Sequence, residues 1–239
     1  MNNWFYQPEI PFYMWGTAHL ITIVLIFSII FSLFLWKKSL LPYRRTIRLT
    51  VGSLLIISRI SLEFWYIRTE TWDIRSSLPL ELCSISSLVC GIMLLTKNRQ
   101  LFEVFYFIGI GGAIQAILTP DFNFGFPQYR FWQFFIDHML LILAPLMMIS
   151  LYQFTITIRS VLKAFITINA IAVIVFIINL SLSANYMFLR HKPSAASLLD
   201  LLGPYPWYLL SLEGITLVVF FILYSPFAWK SFKTKNNRF

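Results

Sequence analysis

The sequence predicts an all-α integral membrane protein, a polytopic bundle of seven transmembrane helices. Hydrophobic residues make up 58% of its 239 residues and charged residues only 12%, a composition that suits lipid rather than water as the surrounding solvent. Apolar runs recur along the chain, and about 20 apolar residues are what one helical crossing of the roughly 30 Å hydrocarbon core requires. Lys and Arg are concentrated in alternate connections between these runs, as the positive-inside rule predicts for membrane proteins.

Each apolar run is expected to be a helix, because lipid offers no partner to a free backbone amide and the alternating pattern of a β-barrel is absent. The connections are short, so residues 1–239 are expected to form a single membrane domain. A GxGG string in the fourth run, Gly109, Gly111 and Gly112, predicts close helix packing. The predicted helices span residues 15–36, 46–67, 78–95, 101–118, 131–152, 161–182 and 207–229.

The distribution of basic residues predicts the orientation of the bundle. Of the 19 Lys and Arg residues, 13 lie in the C-terminal tail and in or next to the first, third and fifth connections, five lie in the N-terminal segment and the other connections, and Arg59 lies within a helix. This bias predicts an external N-terminus and a cytoplasmic C-terminus, which requires an odd number of crossings. The net charge of +9 therefore indicates membrane topology rather than a nucleic-acid partner, and we expect a multi-pass protein of the plasma membrane.

Polar residues inside the predicted helices gather at the external ends. Charged groups within a bilayer are costly, so their positions are the best indication of function. Arg59 and Glu63 are four residues apart and predict an intrahelical ion pair. Gln133 and Asp137 have the same spacing and suit hydrogen bonds to a neighbouring helix. The complete set is His19, Arg59, Glu63, Glu81, Cys83, Gln115, Gln133, Asp137, His138 and Glu213.

Cys83 and His138 are the candidate reactive residues. Cys83 falls in the first turns of a helix that Pro79 is expected to open, where the helix dipole favours a thiolate. His138 has apolar neighbours on its own face, so we expect another helix to supply its hydrogen-bond partner. Taken singly, each residue also suits a structural role. A thiolate and an imidazole from two helices at one depth are nevertheless the minimum for covalent acyl transfer.

A carboxylate that orients His138 is not identified by the sequence. Asp137 is its neighbour but projects about 100° away around the helix. Glu81 and Glu63 are equally suitable alternatives.

Four strings carry a family resemblance: LPLELCSIS (78–86), the stretch 111–141 with LTPD and FPQYRFWQFF, ANYMFLRHKPSAASLLDLLGPYPWY (184–208), and the early helix with His19. Together they resemble the YwaF-like family of bacterial integral membrane proteins, which is related to the eukaryotic transmembrane protein 164. The resemblance spans nearly the whole chain and implies a seven-helix fold. The eukaryotic relative is a phospholipid acyltransferase that works through a Cys and a His, which by matching motif positions implies those roles for Cys83 and His138.

The leading hypothesis is an acyltransferase or transacylase near the external leaflet. Cys83 would accept a fatty acyl chain from a phospholipid and pass it to a lipid acceptor, or to water, while His138 transfers the proton. Oxyanion donors would be the amides at the start of the third helix, or Asn185 and Tyr186. Membrane phospholipids are the expected partners, no metal or organic cofactor is demanded, and the oligomeric state is not indicated. The supporting residues are Asp137, Glu81, His19, Glu63 and Arg59.

Two other interpretations remain open at this stage. The intramembrane residues His19, Arg59, Glu63, Asp137 and His138 would line a path in a non-enzymatic transporter or lipid-binding protein. The absence of an internal repeat argues against a typical secondary transporter. Alternatively, His19 and His138 would be axial ligands of a haem group.

Overall fold

The computed structural model describes residues 5, 10–121, 123–192 and 198–236, and this part of the chain is helical and contains no strand. The all-α prediction is confirmed. Four short helical turns occur at Lys37–Leu40, Leu41–Tyr43, Tyr186–Phe188 and Leu198–Leu202. The longer helices are α1 (Thr17–Leu35), α2 (Arg44–Arg68), α3 (Leu82–Thr96), α4 (Arg99–Leu118), α5 (Tyr129–Tyr152), α6 (Ile158–Leu182) and α7 (Trp207–Asn236).

Helix ends agree with the predicted ones to within three residues, except at the start of α3 and the end of α7. The helix α3 begins at Leu82 rather than at residue 78. The amide of Leu78 instead donates to the Tyr186 hydroxyl (3.0 Å), and the amide of Leu80 donates to the Leu78 carbonyl (2.7 Å). The helix α7 continues to Asn236 because nothing in the polar tail after Pro226 breaks it, and hydropathy detects a membrane crossing rather than a helix end.

Five of these helices, α1, α4, α5, α6 and α7, are long and apolar enough to cross a membrane. The helix α2 is 25 residues long but carries six charged residues, and α3 is apolar but has only 15 residues. Length and composition therefore support a multi-pass membrane protein.

The helix α5 occupies the centre of the bundle. In the most apolar part of α5, 67% of the residues are buried inside the protein, against 17% in α6 and 11% in α7. It contacts α1, α2, α3 and α4, whereas α7 contacts chiefly α4 and α6. Exposed Ile, Leu, Val and Phe side chains are numerous on α1, α6 and α7. These outer helices are consequently the ones whose apolar surface suits contact with lipid.

Two facing glycines set the closest approach of α2 and α3. A Cβ atom on Gly91 would lie 2.7 Å from Cγ1 of Ile56 and 3.0 Å from the carbonyl oxygen of Gly52. Small residues allow helix backbones to come this close. The close packing predicted for the GxGG string occurs only at Gly111, where an added Cβ would lie 3.2 Å from Cγ1 of Val219 of α7, whereas added Cβ atoms on Gly109 and Gly112 would make ordinary contacts.

We expect Gly91→Ala to destabilise the protein by about 1–3 kcal/mol, because the added methyl group overpacks the contact with α2. The measurement is the apparent melting temperature of the purified protein in detergent. Gly214→Ala is the matched control, because nothing lies within 4 Å of its added Cβ on α7. Equal melting temperatures for the two variants would contradict the tight α2–α3 contact.

Arg48, one of the 13 basic residues attributed to the connections and the C-terminal tail, instead lies within α2 and is buried inside the bundle. The helix α2 already begins at Arg44, and the Arg48 side chain is only 6% exposed. Its guanidinium donates to the carbonyls of Leu94 and Leu95 and to the Tyr152 hydroxyl (3.2 Å). Arg48 thus caps the last carbonyls of α3, which the helix itself leaves unpaired.

Candidate active site

A cavity of about 1420 Å³ lies at the end of the bundle where α3, α5 and α7 begin, opposite the end that holds Arg48. Residues from α2 to α7 line it. The cavity brings together five of the predicted site residues: Arg59, Glu81, Cys83, Asp137 and His138. Further polar lining residues are Ser76, Ser84, Gln115, Thr119, Asp121, Asn123, Arg130, Gln133, Asn169, Glu213 and Thr216.

Cys83 is the second residue of α3 and lines this cavity. Glu81 is the N-cap residue of α3, but its side chain makes no hydrogen bond to the first turn. The first-turn amides of α3 are therefore not capped by an N-cap side chain. A Cβ atom on Gly112 of α4 would lie 4.0 Å from the Cys83 Sγ, so this glycine leaves space beside the thiol. The second cysteine, Cys90, is fully buried and does not line the cavity.

The hydrogen bond of His138 defines its tautomer. Its Nδ1 lies 2.7 Å from the carbonyl oxygen of Phe134, one turn earlier in α5. A carbonyl only accepts, so Nδ1 carries the proton and Nε2 keeps its lone pair. The prediction that another helix supplies this partner was wrong. Among the described residues no group bonds Nε2, which leaves a proton acceptor in a cavity-lining side chain.

The three carboxylates considered as orienting groups for His138 are engaged elsewhere. Asp137 accepts a hydrogen bond from Ser87 of α3, and its Oδ1 atom is buried without a partner. Glu81 accepts from the amide of Met187 (3.0 Å), and Glu63 is paired with Arg59. In the described part of the chain, the Phe134 carbonyl is the hydrogen-bond partner of the imidazole, the Phe134 ring packs 4.1 Å from it between centroids, and no hydrogen bond joins the imidazole to the Cys83 Sγ.

Arg59 forms the predicted ion pair with Glu63 and links α2 to the start of α3. Its guanidinium also donates to the Ser84 hydroxyl (2.9 Å) and the Ser77 carbonyl (3.4 Å). The side chain of Gln133 donates to the Ser58 hydroxyl of α2 (3.2 Å). The interhelical hydrogen bonds predicted for Gln133 and Asp137 are therefore present.

His19 lies outside the cavity, and its hydrogen bonds give it a structural role. Its Nδ1 accepts from the amide of Trp15 (3.0 Å), so its Nε2 is the nitrogen that donates to the carbonyl of Ile117 (2.8 Å). Both ring nitrogens are used, which makes the haem interpretation wrong because neither is free to bind iron. Within the described ranges, no group of three or more His, Cys, Asp or Glu residues is arranged to hold a metal ion.

Asn185 and Tyr186 also lie outside the cavity lining. The Tyr186 hydroxyl donates to the carbonyl of Ile74 (2.7 Å) and accepts from the amide of Leu78 (3.0 Å). Asn185 accepts through Oδ1 from the amide of Arg190 (3.0 Å). These residues shape the segments that precede α3 and follow α6, so the oxyanion role considered for them has no geometric support.

Three cavity residues had no predicted role in the site. Arg130 is the second residue of α5, and its side chain is held over aromatic rings. Asn169 of α6 donates to Oε2 of Glu213 of α7 (3.0 Å). Asp121 lies in the connection from α4 to α5, where partial desolvation raises the pKa of its largely exposed carboxyl. The charge pattern places Arg130 only among the five basic residues of the external connections, although a cation in the first turn of a helix is itself an unusual feature.

A helical bundle with apolar, membrane-length helices and a polar cavity at one end defines a polytopic membrane protein. The TMEM164 family model matches residues 14–224, which is most of the chain. The protein belongs to this membrane protein family, as its motifs predicted. No curated protein and no solved structure gives a significant match.

Proposed function

We propose that the protein is an acyltransferase or transacylase that moves a fatty acyl chain from a phospholipid through a thioester on Cys83. His138 acts as the general base. The observation that carries the proposal is that Cys83, at the start of α3, and His138, with its Nε2 lone pair free, line the same cavity. We further propose that all seven long helices cross the plasma membrane, with the N-terminus outside and the C-terminus in the cytoplasm.

The seven-crossing topology has support beyond the five strongly apolar helices. The charges of α2 lie near its ends or, as with Arg59, beside the cavity, where a charged group avoids lipid. The 15 residues of α3 rise only about 22 Å, but a non-helical segment at membrane depth is tolerated where it lines a cavity. In the proposed topology, which the positive-inside rule supports, the cavity would lie near the external leaflet.

The cavity suits a lipid in size and chemistry. Its volume of about 1420 Å³ exceeds the roughly 300–1,000 Å³ of ordinary small-molecule sites. Polar side chains come mainly from α2, α3, α4 and α5, and α6 and α7 contribute mostly apolar ones. The apolar lining includes Leu62, Leu82, Phe134, Ile168, Val173, Phe176 and Leu209.

In the first step, Nε2 of His138 takes the proton of the Cys83 thiol, and the sulfur attacks an ester carbonyl of the donor phospholipid. A bond forms between Sγ and the carbonyl carbon, and the bond from that carbon to the glycerol oxygen breaks. The departing lysophospholipid oxygen takes the proton from His138. The products are an acyl thioester on Cys83 and a neutral imidazole.

In the second step, His138 removes the proton from a hydroxyl group of the acceptor lipid. The acceptor oxygen attacks the thioester carbon, and the carbon–sulfur bond breaks as the new ester forms. The proton on His138 returns to the Cys83 sulfur. Water in place of the acceptor lipid would make the same sequence a hydrolysis.

The first-turn amides of α3 are the proposed oxyanion donors. They are backbone N–H groups at a positive helix end, they adjoin the nucleophile, and the side chain of Glu81 does not cap them. Preorganised amides that meet a developing negative charge are a general source of transition-state stabilisation.

Intact-protein mass spectrometry tests the proposal. Purified protein is incubated with phospholipid and no acceptor, and we expect an adduct with the mass of one acyl chain. The adduct should be sensitive to hydroxylamine, as a thioester is, and peptide mapping should assign it to Cys83 rather than Cys90. If varied phospholipids give no adduct, and varied acceptor lipids added with them give no transfer product, covalent catalysis is wrong, and the cavity is better explained as a lipid-binding or transport site.

A further inference from the structure

Arg130 lies at an electrostatically unfavourable position, so stabilisation of its own helix does not explain its presence there. It is the second residue of α5, where the helix dipole presents a partial positive charge. The N-cap Gln128 makes no side-chain hydrogen bond to the first turn. The start of α5 therefore combines a guanidinium with first-turn amides that no N-cap side chain satisfies, and both favour an anion.

The contacts of Arg130 hold its guanidinium in place without neutralising it. The guanidinium lies 5.6–5.8 Å from the ring centroids of Trp65, Tyr66 and Phe124, and it donates to the side-chain oxygen of Gln133. Its Nε is buried without a hydrogen-bond partner. Among the described residues, no carboxylate oxygen lies within 4.0 Å of it. Ring faces leave the N–H groups of a cation available to a further ligand.

Further polar atoms beside this end of the cavity also lack partners. Arg59 lines the same cavity, is only 8% exposed, and has an unpartnered Nε although its terminal nitrogens are engaged. Buried polar groups are normally hydrogen-bonded, so exceptions that line a cavity indicate a missing ligand. Of the four cavity carboxylates, Asp137, Glu81 and Glu213 each accept a hydrogen bond, and the fourth, Asp121, has no basic nitrogen within 4.0 Å among the described residues.

We infer that Arg130 binds the phosphodiester of the phospholipid headgroup. This inference rests on the proposed function, because it names the part of the substrate that the same cavity recognises. A guanidinium matches phosphate oxygens with two parallel hydrogen bonds, which an ammonium group does not reproduce. His138 lies eight residues further along α5, about 12 Å of helical rise towards the middle of the bundle. A phosphate at Arg130 therefore leaves the ester groups to extend deeper, towards the level of His138.

Binding of two tritiated dialkyl lipids tests the inference without requiring catalysis. One is a dialkyl glycerophosphocholine, whose ether bonds cannot be transferred, and the other is a dialkylglycerol with the same chains and no phosphate. We expect Arg130→Gln to weaken binding of the phospholipid by about 10- to 100-fold, the loss of one charge-assisted hydrogen-bonded pair. Binding of dialkylglycerol should not change. Arg130→Lys should retain part of the affinity.

Arg75→Gln is the matched control, because Arg75 is exposed, lies outside the cavity, and carries the same charge. It should bind both lipids as the native protein does. If Arg130→Gln loses affinity for both lipids equally, Arg130 has a structural role and the inference is overturned. Unchanged affinity for both lipids would also overturn it. Displacement of the phospholipid by inorganic phosphate as effectively as by unlabelled lipid would also overturn it. Failure to form the Cys83 adduct would instead remove the proposed catalysis, whatever the binding result.

Discussion

Cys83→Ser is expected to reduce acyl transfer by roughly 10³-fold or more, because the thioester forms on the sulfur that this substitution removes. A serine hydroxyl occupies nearly the same space but is a much weaker nucleophile than a thiol at neutral pH. The measurement is transfer of a radiolabelled acyl chain from phospholipid to lysophospholipid in proteoliposomes. A lipid transporter would retain its activity after this replacement, since transport needs no nucleophile.

Cys90→Ser provides the matched control within the same helix. Cys90 is fully buried away from the cavity and packs near Gly109, where a Cβ would lie 3.6 Å from its Sγ. Its replacement disturbs packing without touching the proposed nucleophile, so transfer activity should remain close to that of the native protein. Native activity in Cys83→Ser, or equal losses in both variants with a lowered melting temperature, would contradict a nucleophilic role for Cys83.

The helices were predictable because hydropathy reports a local property, the apolar length that a helix presents to lipid. The start of α3 was not predictable in this way. It depends on Tyr186, whose hydroxyl bonds the Leu78 amide across 108 residues of sequence. Tertiary hydrogen bonds of this kind override a local helix signal such as Pro79.

The candidate site was predictable in part. Cys83 and His138 were selected by their depth in the membrane and by their motifs, and both line one cavity. The partner of His138 could not be predicted from residue types, because it is a backbone carbonyl, which every residue carries. His19 was expected to support the site because of its depth and its place in the motifs, yet its hydrogen bonds to Trp15 and Ile117 direct it away. The depth of a residue in the membrane limits the level at which its side chain lies, but it does not determine whether the side chain faces the cavity.

His138→Asn is expected to slow acyl transfer by roughly 10²- to 10⁴-fold, the usual contribution of a positioned general base. An asparagine side chain retains polarity and accepts hydrogen bonds, but it does not take up a proton at neutral pH. The measurement is the rate of thioester formation on Cys83, followed by mass spectrometry at a series of pH values. We expect the rate in the variant to rise with pH, because hydroxide replaces the missing base in forming the thiolate.

His191→Asn is the control for loss of an imidazole, because His191 is exposed in the loop after α6 and does not line the cavity.

A second acyl donor separates the two roles proposed for His138, deprotonation of the thiol and protonation of the leaving group. With a p-nitrophenyl ester the leaving oxygen needs no protonation, so only thiol deprotonation still requires the base. The defect of His138→Asn should therefore be smaller with this donor than with a phospholipid. An equal defect with both donors, with native melting temperature, would mean that His138 does not protonate the leaving group and that another residue supplies that proton.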